Sequence, residues 1–156
     1  MRRLIKAILI LLFIFYLILL TQKILFKYPL ESVLSGGHEN ILWTSNFIPF
    51  KTIIEYLFLS DLSLTIRLQN LLGNLIGFIP LGLFLPLLSS KFRHFKRMML
   101  IAVLLSLTYE LLQLLFGMGS FDIDDLILNT LGGTIGYILS KGLIIIFLKK
   151  EQSLAG

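Results

Sequence analysis

The chain contains no cysteine, which excludes structural disulfides, thiolate metal sites and thiol nucleophiles. Histidine is nearly absent as well: His38 stands beside Glu39 and His94 lies within a basic run, and both read as solvated residues. A Ser-His-Asp relay has no local signature. Charge is scarce, with 15% of residues Asp, Glu, Lys or Arg, against about a quarter in soluble domains. Apolar residues take that place: 56% of the chain is hydrophobic and its mean hydropathy is +0.91. An ordinary soluble domain is thereby excluded, and the composition is that of a membrane protein. No internal repeat or low-complexity tract interrupts it.

A spanning helix needs about 20 predominantly apolar residues. Four stretches qualify, at residues 4–26, 70–88, 98–116 and 126–148. The expected fold is all-α, a polytopic bundle of four transmembrane helices forming a single domain over residues 1–156, with a long connection at 27–69. The first stretch begins with basic residues as a secretory signal does, but Thr21-Gln22-Lys23-Ile24 offers no small-residue cleavage site. It is expected to remain as an uncleaved anchor. The tail from Glu151 to Gly156 is expected to fray.

Lys and Arg concentrate in short cytoplasmic segments, so the charge of each connection orients the bundle. The N-terminus carries Arg2, Arg3 and Lys6; the second connection carries Lys91, Arg93, Lys96 and Arg97; the C-terminal part carries Lys141, Lys149 and Lys150 against Glu151. These three regions total +9, whereas the first connection totals −1 and the third, with Asp122, Asp124 and Asp125, totals −3. Both termini are therefore expected in the cytoplasm of a bacterial cytoplasmic membrane protein. The net charge of +5 then reports topology, and no nucleic-acid partner is expected. The basic inner loop suits anionic lipid headgroups.

The outer connection contains an apolar stretch from Asn46 to Leu59, in which Pro49 suits the first turn of a helix. An interfacial helix with aromatics at headgroup level is expected there, in preference to a re-entrant element, and Tyr28, Trp43 and Tyr56 stand where an aromatic belt would. On the second span Gly73 and Gly77 form a small-xxx-small pair, and Gly132, Gly133 and Gly136 repeat the device on the fourth; such pairs let helices approach closely. Pro80 and Pro86 must be accommodated by neighbours or local unwinding.

The polar residues inside these spans are few and gather at one depth. With about 1.5 Å of rise per residue, Glu110 lies roughly 18 Å along the third span, with Gln113 one turn further out. Asn70 and Asn74 occupy one face of the second span, and Asp122, Asp125 and Asn129 fall near one face of the fourth. Ionisable groups at such depth usually face a bundle interior or a wet cavity. Three chemistries are open to them. Desolvation and neighbouring carboxylates favour a neutral Glu110, which would serve as general acid or base. Asp122, Asp124 and Asp125 with Glu110 could hold a divalent cation through oxygen ligands. Asn70, Asn74, Gln113 and Asn129, with a carboxylate, could hydrogen-bond a lipid headgroup or sugar. The bland alternative is interhelical glue at about 0.6 kcal/mol per bond, and for Asp124 a solvated loop acid.

Three segments in order, Asn70 to Gly82, Glu110 to Gln113, and Phe121 to Tyr137, together with Asn46-Phe47-Ile48-Pro49-Phe50, resemble the VanZ-like membrane protein family. The resemblance covers about Asn46 to Leu139. It implies a small multi-spanning bacterial protein, and the family's namesake confers resistance to the glycopeptide teicoplanin. Members often carry an arginine just ahead of the aspartates; Gly117-Met118-Gly119-Ser120 stands there instead, removing an anion contact or carboxylate partner. The expected function is binding, at the outer membrane face, of a cell-envelope lipid, lipid-linked precursor or glycopeptide. An intramembrane enzyme using Glu110, with or without a metal, is the alternative. Membrane lipids are the expected partners, a homo-oligomer is left open, and no cofactor other than a divalent cation is suggested.

Overall fold

The computed structural model describes residues 2–25 and 45–155. Helix α1 runs Arg2–Leu25, a short α2 runs Lys51–Ile54 and continues as a π-helical turn over Glu55–Leu59, α3 runs Leu64–Leu88, α4 runs Phe95–Phe116 and α5 runs Ile123–Ala155. A single 3-10 turn, Ser90–Arg93, joins α3 to α4. The described residues contain no strand, only an isolated bridge between Asn46 and Asp122. Three helical stretches, Arg3–Leu25, Leu64–Leu88 and Phe95–Phe116, are long and apolar enough to cross a membrane. Tyr28, His38 and Trp43 lie outside the described residues.

Helix boundaries follow local chemistry more closely than hydropathy does. Helix α3 begins six residues before the apolar run at Asn70, because Ser63 caps it by accepting a hydrogen bond from Ile66 N at 3.4 Å. Helix α4 ends at Gly117, whose left-handed backbone (φ 64°) suits a residue without a side chain. Met118 N then reaches back to Gln113 O at 2.9 Å. Helix α5 continues through the tail expected to fray as far as Ala155, where Glu151, Gln152, Leu154 and Ala155 are good helix formers.

The closest packing in the bundle is between α3 and α5, which run parallel. A Cβ on Gly132 would lie 2.0 Å from Leu75 O, one on Gly136 1.9 Å from Ile79 O, and one on Gly82 2.0 Å from Gly133 O. At these three places backbone rests on backbone. Gly73 and Gly77, expected to permit close helix approach, face α1: Lys23 Nζ is 3.3 Å from a Cβ on Gly73, and a Leu20 methyl is 3.4 Å from one on Gly77. Spacing alone identifies a small-residue face but not the helix it meets. Below the seam Phe78, Leu81, Met98 and Ala102 form a fully buried core.

Helix α1 is held largely by polar contacts. Tyr16 donates to Gly77 O at 2.8 Å, one turn before Pro80 withdraws a donor from the α3 ladder. Thr21 Oγ1 and the Tyr109 hydroxyl are 2.7 Å apart, and Gln113 Nε2 donates to Ile24 O at 3.0 Å. At the opposite end of the bundle Tyr137 donates to Arg93 O at 2.6 Å, Arg93 Nε donates to Pro86 O at 3.3 Å, and Lys141 lies over the Tyr137 ring. The ends of α1 and α4 and the starts of α3 and α5 thus share one pole of the molecule, and the basic loop Lys91 to Arg97 marks the other.

Because Gly136 has no room for a side chain, Gly136→Ala should force α3 and α5 apart. We expect the usual overpacking cost of about 1–3 kcal/mol, read as a lower melting temperature of detergent-purified protein. Gly142→Ala, with nothing within 4 Å of its Cβ, should leave it unchanged.

Candidate functional site

Where the four long helices meet at the acidic pole they enclose a chamber of about 180 Å³. Its polar wall contains Asn70, Asn74, Glu110, Gln113, Asp125 and Asn129, with Leu20, Ile24, Gly77 and Phe78 as apolar facing. Six of the seven expected ligand-binding residues therefore line one space. The seventh, Asp122, lines a smaller cavity of about 80 Å³ that shares Asn70, Gln113 and Asp125 with the first. Thr52 and Tyr56 of the outer segment also face that smaller cavity.

Each side chain is fixed by a different element. Glu110, 2% exposed, accepts from Asp122 N at 2.8 Å through Oε2. Asn74 Nδ2 donates to Asp125 Oδ1, binding α3 to the first turn of α5. Gln113 is spent on Ile24 O, and Asn70 Nδ2 turns back to Ile66 O at 3.1 Å. Asn129, 3% exposed, donates to Ser106 Oγ at 2.9 Å, while its Oδ1 is buried with no hydrogen-bond partner in the protein.

The three aspartates considered, with Glu110, as cation ligands each accept from different partners. Asp122 caps α5, its Oδ1 accepting from Asp124 N at 2.9 Å and from Asn46 Nδ2 at 3.0 Å. Asp124 is not a solvated loop acid: it is fully buried, and its two oxygens accept from Phe50 N at 2.5 Å and Ile53 N at 3.1 Å. It caps α2 from another element. Phe50, at φ 67° and ψ 0°, holds a left-handed conformation that is rare for a bulky residue, and its amide points at this carboxylate. Among the described residues no group of three or more His, Asp or Glu side chains is placed to hold a metal ion.

Asn46 completes the docking of the outer segment. Its N–H donates to Phe121 O at 2.7 Å, its carbonyl accepts from Ile123 N at 3.0 Å, and its side chain reaches both Asp122 and Thr52. Phe47 stacks on Phe121 at 5.1 Å. The expected interfacial helix is therefore short and bonded to the bundle mouth, with Phe50, Ile54, Leu57 and Phe58 exposed on its outer surface. Pro49 precedes its cap residue Phe50 and does not lie in its first turn.

Two polar lining residues escaped sequence reasoning, Lys23 and Gln69. Lys23 sits near the end of an apolar run where a long cationic stem ordinarily snorkels to water. Here Lys23 Nζ donates to Gly73 O at 3.2 Å across to α3. The signal that could have found it is charge count: beyond Lys6 at its start, the first apolar stretch has Lys23 as its one charged residue, as the third has Glu110, and both line the chamber.

The VanZ/LLP1 family model matches residues 13–148, nearly the whole of this architecture. The chain belongs to the VanZ/LLP1 family. It is 33% identical over 123 residues to Protein VanZ of Enterococcus faecium. That alignment covers 78% of this chain and 66% of the relative, just under two thirds of its length. No solved structure matches significantly. Together with the three long apolar helices, family membership makes this a multi-pass membrane protein. Every chamber-lining residue, from Leu20 to Asn129, lies within the VanZ/LLP1 match.

Asp124→Ala would strand two amide donors of the outer segment, each at a cost of about 1–3 kcal/mol. Hydrogen–deuterium exchange should quicken at Phe50 and Ile53 while the middle of α4 keeps its protection. Unchanged exchange at both amides would overturn the capping role.

Proposed function

We propose that this chain is a four-span protein of the cytoplasmic membrane with both termini cytoplasmic. Its chamber opens at the outer face and takes the polar end of a cell-envelope lipid or lipid-linked precursor, altering susceptibility to glycopeptides such as teicoplanin. One observation carries the reading: seven polar residues from α3, α4 and α5 line a single cavity in which Asn129 Oδ1 is buried without a hydrogen-bond partner in the protein. A buried acceptor left unmade costs about 1–3 kcal/mol, which a ligand donor would recover.

The orientation is supported by charge, since Lys91, Arg93, Lys96 and Arg97 cluster opposite the acidic pole and cytoplasmic loops collect such residues. Helix α5 has the length for a fourth span: 33 residues at 1.5 Å each give about 50 Å, against a hydrocarbon core of about 30 Å. Size narrows the ligand. Sites for drug-sized molecules run from about 300 to 1,000 Å³, so a chamber of about 180 Å³ accepts a headgroup and not a whole glycopeptide. On this reading any resistance arises through the envelope component that the protein engages.

Glu110→Gln keeps the shape of the side chain and its acceptor for Asp122 N. The variant should accumulate in the membrane as the unaltered protein does, while any glycopeptide resistance conferred by expression falls to the level of an empty control. Susceptibility testing alongside membrane quantification checks this. Loss of accumulation would assign Glu110 to interhelical bonding, and turnover of a labelled envelope lipid by purified protein would replace binding with catalysis.

A further inference from the structure

Four amide side chains line the chamber, Asn70 and Asn74 on α3, Gln113 on α4 and Asn129 on α5, and they share one mode of attachment. Each bonds to the protein through its nitrogen: Asn70 to Ile66 O, Asn74 to Asp125, Gln113 to Ile24 O and Asn129 to Ser106 Oγ. Among the described residues no donor bonds to any of the four carbonyl oxygens, and that of Asn129, the most buried of the set, is closed off from solvent. An amide has two N–H donors and a carbonyl oxygen with two lone pairs. With one donor used, each side chain keeps a mixed edge, one N–H beside one carbonyl.

We propose that the headgroup held in the chamber is a polyol, the glycerol of a phospholipid or the sugar of a glycolipid, recognised through its hydroxyls by these four amides. This rests on the reading of the chamber as a headgroup site. A mixed edge selects its partner. A phosphate or carbonyl oxygen only accepts and an ammonium only donates, so each would meet half of what an amide offers. A hydroxyl donates and accepts through one atom, and hydroxyls on neighbouring carbons can engage two amides at once. The amides stand on three helices around one space, which suits a ligand with several hydroxyls better than one with a single polar tip. Size agrees. At about 10–15 Å³ for each water-sized group, a chamber of about 180 Å³ has room for roughly a dozen such groups, enough for a glycerol or one sugar ring and too few for a disaccharide.

The test is native mass spectrometry of purified protein exposed to two pairs of lipids with matched chains. Phosphatidylglycerol competes with phosphatidylpropanol, which keeps the charge and the three carbons without the hydroxyls. Monoglucosyl diacylglycerol competes with the cyclohexyl ether of diacylglycerol, which keeps a six-membered ring without them. In at least one pair the hydroxylated lipid should be retained about tenfold over its partner, and the pair that shows this names the source. Asn129→Leu should bring the ratio near one. Should that variant melt early through loss of its bond to Ser106, Asn70→Leu, whose bond lies within its own helix, should still lower the ratio at an unchanged melting temperature. Ratios near one in both pairs with unaltered protein, or a preference that neither variant changes, overturn the polyol assignment. Retention of a hydroxyl-free lipid that is lost in Asn129→Leu overturns the polyol but leaves the headgroup site standing. Absence of any lipid retention that depends on chamber residues overturns both.

Discussion

Backbone-to-backbone contact between α3 and α5 is the constraint on which the rest of the structure depends. Lipid tails are as apolar as leucine, so helices in a membrane gain little from burying apolar side chains against each other and rely on close van der Waals packing. Gly82, Gly132 and Gly136 permit that packing by leaving no atoms in the way. The register they set brings Asn74 to Asp125, and the chamber then opens beyond the last tight contact. Larger residues along this seam would separate the helices and dissolve the cavity's back wall, even with every polar residue retained.

The acids between Glu110 and Asp125 are reconciled with their surroundings mainly by main-chain amides. Glu110 accepts from Asp122 N, Asp122 from Asp124 N, and Asp124 from Phe50 N and Ile53 N. Asp124 and Asp125 also lie in the first turn of α5, where the helix macrodipole favours negative charge. Within this chain of contacts the roles separate. Asp122 and Asp124 fasten the outer segment across the mouth, whereas Glu110, Asp125 and Asn129 form the chamber wall.

Glu110, Gln113 and Asn129 are conspicuous in the sequence because a polar side chain amid hydrocarbon needs a partner, and helical rise places all three at similar depth. Spans, parallel glycine faces and the acidic pole follow from period, hydropathy and loop charge. What these signals do not carry is long-range pairing. Asp124 looks like a loop acid until its partners are known, and they are amides 74 and 71 residues away. Asn46 is similar: its bonds to Asp122 and to the backbone at Phe121 and Ile123 cross the whole bundle sequence. Gly73 and Gly77 show the limit of spacing, because the same four-residue interval serves a backbone seam on α5 and a side-chain contact with α1 on α3.

Helix α1 obeys a different balance from its neighbours. Most of its apolar side chains are exposed to the outside of the bundle, with Leu20 its buried exception, so lipid can replace much of its packing at little cost. Beside the contacts of Phe13 and Tyr16 with the Phe84 ring, its attachment uses four polar contacts, Tyr16 to Gly77 O, Thr21 to Tyr109, Lys23 to Gly73 O and Gln113 to Ile24 O. At about 0.6 kcal/mol for an average interhelical hydrogen bond in a membrane, the set amounts to roughly 2 kcal/mol, or about a thirtyfold bias. The α3–α5 seam has no comparable weakness, since separating it would expose backbone and forfeit close packing along three glycines. Of the chamber's walls, α1 is therefore the one that yields first, and it is the wall that carries Lys23.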